Sequence, residues 1–252
     1  MNAAPAFALL VAIVAVPTAP KTASAADLSV AVAANFTDAA KEIAAAYEAE
    51  TGTHVRLSFG STGTLYSQIS QGAPFEVFLA ADQERPRKAL EEELAVAGSD
   101  FTYAVGRLVL WSAEAETVAG EETLRTGGFS KLAVADPTAA PYGAAAIEVI
   151  ERLGLTETLR SKLVQGSSIA QTFQFVQTGN AELGFVALSQ VPADGGSRWE
   201  VPQSLYTPIR QDAVLLKTGA ADPAARAFCD FLRSPQATAI IARYGYGLPG
   251  GS

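Results

Sequence analysis

Four short segments of the chain place hydroxyl, amide or glycine residues between a strand-like apolar run and a helical pattern. They are ANFTD at 34–38, GSTGT at 60–64, PTAAPYG at 137–143 and QGSSIAQ at 165–171. The first N–H groups of a helix have no partner inside the helix, and the helix dipole makes that end positive. Such a corner can therefore bind an anion. None of the four contains a lysine or an arginine.

The second corner does not match a nucleotide-binding loop. A Walker A loop requires G-x-x-x-x-G-K-[ST] and a dinucleotide fingerprint requires G-x-G-x-x-G, whereas Gly60–Thr64 is followed by Leu65 and Tyr66. A single corner of this kind indicates only a capped helix, with Ser61 or Thr62 at the cap. Four of them together favour a ligand.

Strand-like and helical patterns alternate along the chain, which predicts α/β layers built on mainly parallel sheets. The predicted buried strands are LSVAVAA at 28–34, HVRLSF at 54–59, FEVFLAAD at 75–82, KLAVAD at 131–136, SKLVQG at 161–166 and ELGFVAL at 182–188. In a parallel sheet, ligands bind beyond the carboxyl ends of the strands. The four corners occupy such positions, two in each half of the chain.

Two longer β-like segments, 101–112 and 206–217, predict how the halves are joined. If both cross between lobes, the chain leaves the first lobe near residue 107 and returns near residue 209. The predicted division is a signal peptide at 1–25, lobe 1 at 26–107 plus 209–252, and lobe 2 at 108–208. Two α/β lobes joined by two crossover strands form a clamshell, whose cleft is a common ligand site.

The N-terminal segment predicts export. The apolar run at 6–16 is too short to cross a bilayer as a helix, and Ala23-Ser24-Ala25 has the A-x-A form of a signal-peptidase site. Cleavage before Ala26 removes Lys21, so the formal charge changes from 18 − 26 = −8 to 17 − 26 = −9. An acidic protein is a poor binder of nucleic acid, so no nucleic-acid partner is expected.

The inventory of nucleophiles and metal ligands argues against an enzyme. The chain has one cysteine, Cys229, and one histidine, His54. Cys229 shares a helical face with Ala225, Phe228 and Leu232, which predicts a buried thiol. A zinc site of the usual ligand types lacks enough ligands, and a Ser-His-Asp arrangement would depend on His54 alone.

The charge of the corners narrows the ligand. An acidic acceptor in the site would suit a protonated oxyanion such as hydrogen phosphate, whereas a lining of donors suits an anion without a proton at neutral pH. Asn35 is expected at a helix N-cap with Asp38 in capping-box position, and Asp136, before Pro137, is expected to form a turn. The predicted ligand is a tetrahedral dianion of the sulfate or molybdate type.

Four longer segments carry a resemblance to a known family. AVAANFTDAAKEIAAAYEAETG, LSFGSTGTLYSQISQGAPFEVFLAAD, LAVADPTAAPYGAAAIEVIERLG and SPQATAIIARYGYGLP together resemble the periplasmic molybdate-binding proteins (ModA family) of ABC importers. The resemblance spans essentially the whole mature chain and implies a type II periplasmic-binding-protein fold. It further implies that molybdate or tungstate is held by neutral hydrogen bonds in the periplasm and delivered to a membrane permease. No cofactor is implied, and a monomer is expected.

The resemblance also implies the ligand-binding residues. Asn35 matches a position where members have Ser or Asn whose side chain and N–H bind the oxyanion, and Ser61 matches the serine of the second corner. Ile169 matches a position that donates its backbone N–H. Ala34 and Thr62 are candidates for a further N–H. The oxyanion is expected to bind through its oxygens, with no side chain ligating the metal atom.

One position departs from part of the family. Some members have a tyrosine in the stretch that matches LGFVALS, where this chain has Ala187. Other members have the tyrosine in the third corner, so Tyr142 is expected to supply a phenolic O–H.

Three alternatives stay open at this point. Another tetrahedral oxyanion, such as sulfate or thiosulfate, would fit the same corners. An exported enzyme would need a nucleophile or an acid/base pair, and no acidic pair stands out. A ferric-iron carrier would need several tyrosines with acidic partners; Tyr244 and Tyr246 are close together, but they follow a helix and are expected to pack against it or cap it.

Overall fold

The structure is a computed structural model that describes Met1 and residues 27–250. Apart from Met1, the predicted signal peptide at 1–25 lies outside the described residues. No helix in the described part of the chain combines the length and the apolarity needed to cross a membrane.

Strands and helices alternate through most of the described residues. The strands there are β1 (Leu28–Ala33), β2 (Val55–Gly60), β3 (Val77–Leu79), β4 (Phe101–Gly106), β5 (Leu108–Ser112), β6 (Leu132–Ala135), β7 (Leu163–Gly166), β8 (Leu183–Ala187), β9 (Ser197–Glu200) and β10 (Ile209–Leu215). The α-helices there are α1 (Thr37–Thr51), α2 (Thr62–Ser70), α3 (Glu84–Glu91), α4 (Glu122–Thr126), α5 (Pro141–Arg152), α6 (Thr156–Leu159), α7 (Ile169–Gln177), α8 (Pro223–Phe231) and α9 (Pro235–Arg243).

The strands form two five-stranded sheets, in the orders β2-β1-β3-β10-β4 and β7-β6-β8-β5-β9. The first lobe is the first sheet with the helices packed on it, and the second lobe is the second sheet with its helices. The predicted α/β class is confirmed. The expectation of mainly parallel sheets is wrong, because β10 pairs antiparallel with β3 and β4, and β5 pairs antiparallel with β8 and β9. These strands enter their sheets without a βαβ crossover, which is the connection that makes neighbours parallel.

The connections between the sheets are short. Arg107 alone separates β4, in the first sheet, from β5, in the second. The chain returns from β9 to β10 through residues 201–208. We keep the predicted lobe boundaries, near residues 107 and 209, as a proposal that these sheet memberships support.

The sequence of helix α1 explains both how the helix packs and where it ends. Its buried residues are spaced to one face and pack on the first sheet. The helix ends at Gly52, which has the left-handed conformation (φ 72°) and donates its N–H to the Glu48 carbonyl. The buried face is formed by Ala39, Ala40, Ile43, Ala44 and Tyr47.

Apolar packing continues across the cleft between the lobes. Ala33, Ala34 and Ala81 belong to the first lobe but pack in the same buried cluster as Tyr142 and Ile169 of the second. The two lobes therefore touch around the ends of their strands.

Candidate functional site

A small cavity lies where the lobes meet, with an internal volume of about 10 Å³, which is the space of about one water molecule. The six residues predicted to bind the ligand all line it. The lining residues are Ala33, Ala34, Asn35, Ser61, Thr62, Ala81, Ala140, Pro141, Tyr142 and Ile169. None of these residues has a charged side chain.

Each wall of the cavity is the beginning of a helix that follows a parallel strand. In the first lobe, β1 leads into a 3₁₀ turn at Ala34–Phe36 and β2 leads into α2. In the second lobe, α5 follows β6 and α7 follows β7. Thr62 and Ile169 are the first residues of their helices, so their N–H groups have no acceptor within the helix. Residues from the starts of all four elements line the same cavity, where the N–H groups of a helix start carry a partial positive charge, although Pro141 at the start of α5 has no N–H.

Ser61 caps α2, as the sequence predicted. Its hydroxyl oxygen accepts from the Thr64 N–H at 3.4 Å and lies 2.6 Å from the Thr64 hydroxyl. If Thr64 is the donor of the second bond, the proton of Ser61 is free for a ligand. Thr62 is tied to the end of β3 because its hydroxyl accepts from the Ala81 N–H at 3.0 Å.

The predicted role of Asn35 as an N-cap is wrong. The 3₁₀ turn precedes α1, and Phe36 rather than Asn35 occupies the N-cap position. The amide nitrogen of Asn35 donates to Gln211 Oε1 at 3.0 Å and to the Tyr246 hydroxyl at 3.1 Å. Asp38, predicted to complete a capping box, is instead exposed and pairs with Lys41 at 3.2 Å. The extra turn brings Asn35 into the cavity wall, where a direct start of α1 would have made it a cap.

Tyr142 is buried at the start of α5, with 1% of its surface exposed. Pro141 occupies the first helical position, where its missing N–H costs nothing. The Tyr142 hydroxyl accepts a hydrogen bond from Gln211 Nε2 at 3.2 Å. Burial raises the pKa of Tyr142 well above its usual value of 10, so the phenol keeps its proton at neutral pH.

Ile169 is held by the cap of its helix. The Ser168 hydroxyl accepts from the Gln171 N–H at 3.3 Å and fixes the first turn of α7. The side chain of Ile169 is buried, so the group it can offer a ligand is its backbone N–H.

Three residues behind the cavity wall were not predicted to belong to the site. Gln211, on β10, contacts both Asn35 and Tyr142. Tyr246 was expected only to pack against its helix or cap it; it is buried, and its hydroxyl donates to the Asn35 carbonyl at 2.7 Å. Ser189 donates to the same carbonyl at 2.9 Å. The only sequence signal was a glutamine in an apolar strand, and its partners are far apart in the chain.

Direct hydrogen bonds hold the lobes together beside the cavity. The Gly63 N–H donates to the Ala139 carbonyl at 2.8 Å, and Arg85 donates to the Thr138 carbonyl at 2.7 Å. The backbones approach closely here, since a Cβ on Gly63 would lie 3.0 Å from the Ala139 Cα. We refer to these four residues as the clasp.

The other chemical groups discussed from the sequence lie away from the cavity. Cys229 is buried in α8, as predicted, and burial raises the pKa of its thiol to about 11. His54 is exposed and lies 2.9 Å from Glu48. Residues 27–250 contain no group of three or more His, Cys, Asp or Glu side chains that could hold a metal ion.

Comparisons with known proteins agree with this geometry. Residues 28–247 match the family model described as bacterial extracellular solute-binding protein. The chain is 58% identical over 225 residues to the molybdate-binding protein ModA of Rhodobacter capsulatus, covering 89% of each chain. It is 58% identical over 231 residues to the ModA protein of Azotobacter vinelandii, covering 90% of this chain and 92% of the relative.

A solved structure shows the same fold. The periplasmic molybdate-binding protein of Azotobacter vinelandii superposes with a TM-score of 0.86 and 39% identity. The match covers 88% of this chain and 100% of that one.

Proposed function

The chain belongs to the ModA family of molybdate-binding proteins, within the bacterial extracellular solute-binding proteins, and from that premise we propose that it binds molybdate or tungstate for import by an ABC transporter. Its fold is the periplasmic-binding-protein fold expected from the sequence. The proposed ligand site is the cavity between the lobes.

One observation carries this proposal. All six residues expected to bind the oxyanion line a single uncharged cavity, although they come from four separate corners of the chain. A lining of hydroxyl groups and helix N-termini offers donors, and a deprotonated oxyanion offers only acceptors. The chemistry of the cavity and that of the relatives' ligand therefore agree.

The residues have distinct proposed roles. Ser61 and Tyr142 donate their hydroxyl protons to oxyanion oxygens. Thr62 and Ile169 donate the N–H groups at the starts of their helices. Asn35 and Ala34 offer the backbone N–H groups of the 3₁₀ turn at Ala34–Phe36.

The energetics are sufficient for tight binding. A hydrogen bond to a charged acceptor contributes about 1.5–3 kcal/mol net. Several of these bonds offset the cost of association, which is roughly 4–15 kcal/mol, and enclosure between the lobes excludes competing water. Because the cavity of about 10 Å³ has space for about one water molecule, the lobes must separate to admit and enclose a tetrahedral oxyanion.

The cellular role follows from the same premise. We expect the protein to be exported to the periplasm, with its signal peptide cleaved near Ala25 and Ala26, and to act as a monomer that delivers its anion to a cognate membrane permease. It carries no catalytic role in this proposal and uses no cofactor.

Isothermal titration of the purified mature protein, stripped of anion, tests the proposed function. Molybdate, tungstate, sulfate and phosphate are titrated in turn. We expect tight binding of molybdate and tungstate and no heat from sulfate or phosphate. Binding of sulfate alone would contradict the proposed ligand but leave the proposed site intact. Binding of none of the four anions would contradict the proposed function.

A further inference from the structure

Gln211 is a fully buried polar residue on β10 with three side-chain partners. Its Oε1 lies 3.0 Å from Asn35 Nδ2 and 3.0 Å from the Tyr103 hydroxyl. The Tyr103 hydroxyl also lies 3.0 Å from the Ala80 carbonyl, so its one proton goes to one of these two acceptors. The Nε2 of Gln211 lies 3.2 Å from the Tyr142 hydroxyl. Gln211 therefore joins the first lobe, which carries Asn35 and Tyr103, to the one tyrosine that lines the cavity from the second lobe.

The direction of these hydrogen bonds is set at the Tyr246 hydroxyl. The Asn35 carbonyl can only accept, and the Tyr246 hydroxyl lies 2.7 Å from it. The Ser189 hydroxyl, 2.9 Å from the Tyr246 hydroxyl, donates its own proton to the same carbonyl and so can only accept from Tyr246. Tyr246 has a single proton, and donating it to either of these acceptors leaves only lone pairs for the Asn35 side chain. Asn35 must then turn its amide nitrogen toward Tyr246, as found at 3.1 Å.

The orientation of the Asn35 amide fixes that of Gln211, and the orientation of Gln211 fixes how it bonds to Tyr142. Because the Asn35 amide nitrogen also faces Gln211, Gln211 must present its oxygen there, since two NH₂ groups would oppose each other. Its own NH₂ group then points at Tyr142 and can only donate. The Tyr142 oxygen becomes an acceptor on that side, and Gln211 is its one hydrogen-bond partner among residues 27–250.

The Tyr142 proton is therefore left without a protein acceptor in a buried place. Leaving a buried donor unpaired costs about 1–3 kcal/mol, so a ligand that accepts there recovers this cost. Gly106 leaves room for the pair of Tyr142 and Gln211, because a Cβ at this residue would lie 2.2 Å from the Tyr142 oxygen and 2.8 Å from Gln211 Nε2. The hydroxyl occupies the space that only a glycine leaves.

We propose that Gln211 is a positioning residue that makes the Tyr142 hydroxyl an obligate hydrogen-bond donor to the bound oxyanion. This inference rests on the proposed function. Its consequence is selectivity between anions. An anion that carries its own proton at this point, such as hydrogen phosphate, would place its O–H group against the Tyr142 O–H group, and both can only donate there. A fully deprotonated anion accepts from Tyr142.

Gln211→Glu tests the inference with little change of shape. At pH 8 the carboxylate still accepts from Asn35, but it also accepts from Tyr142 and so turns the phenolic proton away from the cavity. We expect the Kd for molybdate to rise about tenfold to a hundredfold, which corresponds to one hydrogen bond to a charged acceptor. Gln177→Glu, which adds the same charge at an exposed position of α7, should leave the Kd unchanged.

A double-mutant cycle separates positioning from charge repulsion. If Gln211 acts through Tyr142, Gln211→Glu costs little further affinity in the Tyr142→Phe background. An equal cost in both backgrounds, or a wild-type Kd for Gln211→Glu, would overturn the inference. If the wild-type protein binds neither molybdate nor tungstate, the proposed function is overturned and this inference with it. If the wild-type protein binds them, the variants test the role of Gln211 separately from the proposed function.

A second variant covers the case in which the buried carboxylate prevents folding. Gln211→Met keeps the length of the side chain and removes the amide donor that orients Tyr142. We expect a severalfold rise in the molybdate Kd and a smaller ratio between the phosphate and molybdate Kd values. An unchanged Kd and an unchanged ratio would contradict the positioning role.

Discussion

At the scale of single residues, the proposed site offers its ligand neutral donors. Ser61 illustrates the arrangement: its hydroxyl oxygen accepts from the Thr64 N–H, and when the Thr64 hydroxyl also donates to it, the Ser61 proton is free for the anion. Such a donor costs less to bury than a lysine, because an unpaired buried charge is far more costly than a buried hydroxyl. A cavity lined by such donors is therefore compatible with tight packing of the two lobes.

Removing one donor should weaken binding without unfolding the protein. We expect Ser61→Ala to raise the Kd for molybdate about tenfold to a hundredfold, because one hydrogen bond to a charged acceptor is lost. Titration calorimetry measures the change. Ser70→Ala, at an exposed position of the same helix, is the control, and equal affinities of the two variants would remove Ser61 from the site.

Binding should be independent of pH between about pH 7 and 9. Tyr142 is the only titratable residue of the cavity lining, and its pKa is raised above 10 by burial. The protonated phenol is the form that donates, so binding is lost only when the pH rises through this raised pKa. Calorimetry at several pH values checks this, and a marked loss of affinity by pH 8 would show that another group titrates in the site.

Sequence reasoning identified six of the ten residues that line the cavity but missed the layer behind it. The lining residues have local signals, since they begin helices after strands. Gln211 has no local signal, because its role depends on Asn35 and Tyr142, which lie 176 and 69 residues away in the chain. A direction of hydrogen bonding emerges only from the assembled network.

At the scale of elements, the helices place N–H groups at fixed points. Helix α7 begins at Ile169 because Ser168 caps it, and α9 begins at Pro235 because Ser234 caps it in the same way. Only the first of these helices faces the cavity. The pair therefore separates the stability of a helix from its contribution to binding.

We expect Ser168→Ala and Ser234→Ala to lower the free energy of unfolding by similar amounts, about 0.5–2 kcal/mol each, because each removes an N-cap. Urea unfolding measures this effect. Only Ser168→Ala should also raise the Kd for molybdate, since it loosens the turn that presents the Ile169 N–H. Equal Kd values for the two variants would contradict the role of α7.

Two strands differ from the sequence prediction, β3 in its length and β9 because it was not predicted. FEVFLAAD was predicted as one strand, yet β3 includes only Val77–Leu79, and Ala81, two residues beyond it, already lines the cavity. Strand β9 lies in the turn-rich stretch 191–202, and its alternating half-buried and exposed residues are those of a short edge strand. The four residues of β9 give too short a pattern to recognise.

At the scale of the whole molecule, the clasp couples the lobes to the ligand. Gly63 and Ala139 belong to helix starts or loops that also form the cavity wall. The same closure that makes these bonds encloses the anion, so the clasp should slow its release. The alternation of elements predicted two lobes, but the clasp could not be predicted, because it joins backbone groups whose meeting depends on how far the lobes close.

Arg85→Lys should speed release of molybdate. Arg85 pairs with Asp82 through one nitrogen, at 2.6 Å, and reaches the Thr138 carbonyl with another. A lysine keeps the positive charge that pairs with Asp82 but lacks the second nitrogen that donates to the Thr138 carbonyl. We expect the dissociation rate to rise about two- to tenfold, the value of one ordinary hydrogen bond.

Stopped-flow displacement of molybdate by excess tungstate measures this rate. Arg87→Lys, at an exposed position of the same helix, is the control. A dissociation rate for Arg85→Lys equal to that of the control would show that the clasp does not hold the lobes closed.

The location of the bound anion tests the central claim most directly. Crystals of the molybdate-loaded protein are measured at the molybdenum absorption edge, and an anomalous difference map locates the metal. The account predicts one strong peak between the lobes, within reach of the Ser61 and Tyr142 hydroxyls through the oxyanion oxygens. A peak outside this cavity, for example beside Arg85 and Lys88 on the surface groove next to the clasp, would contradict it.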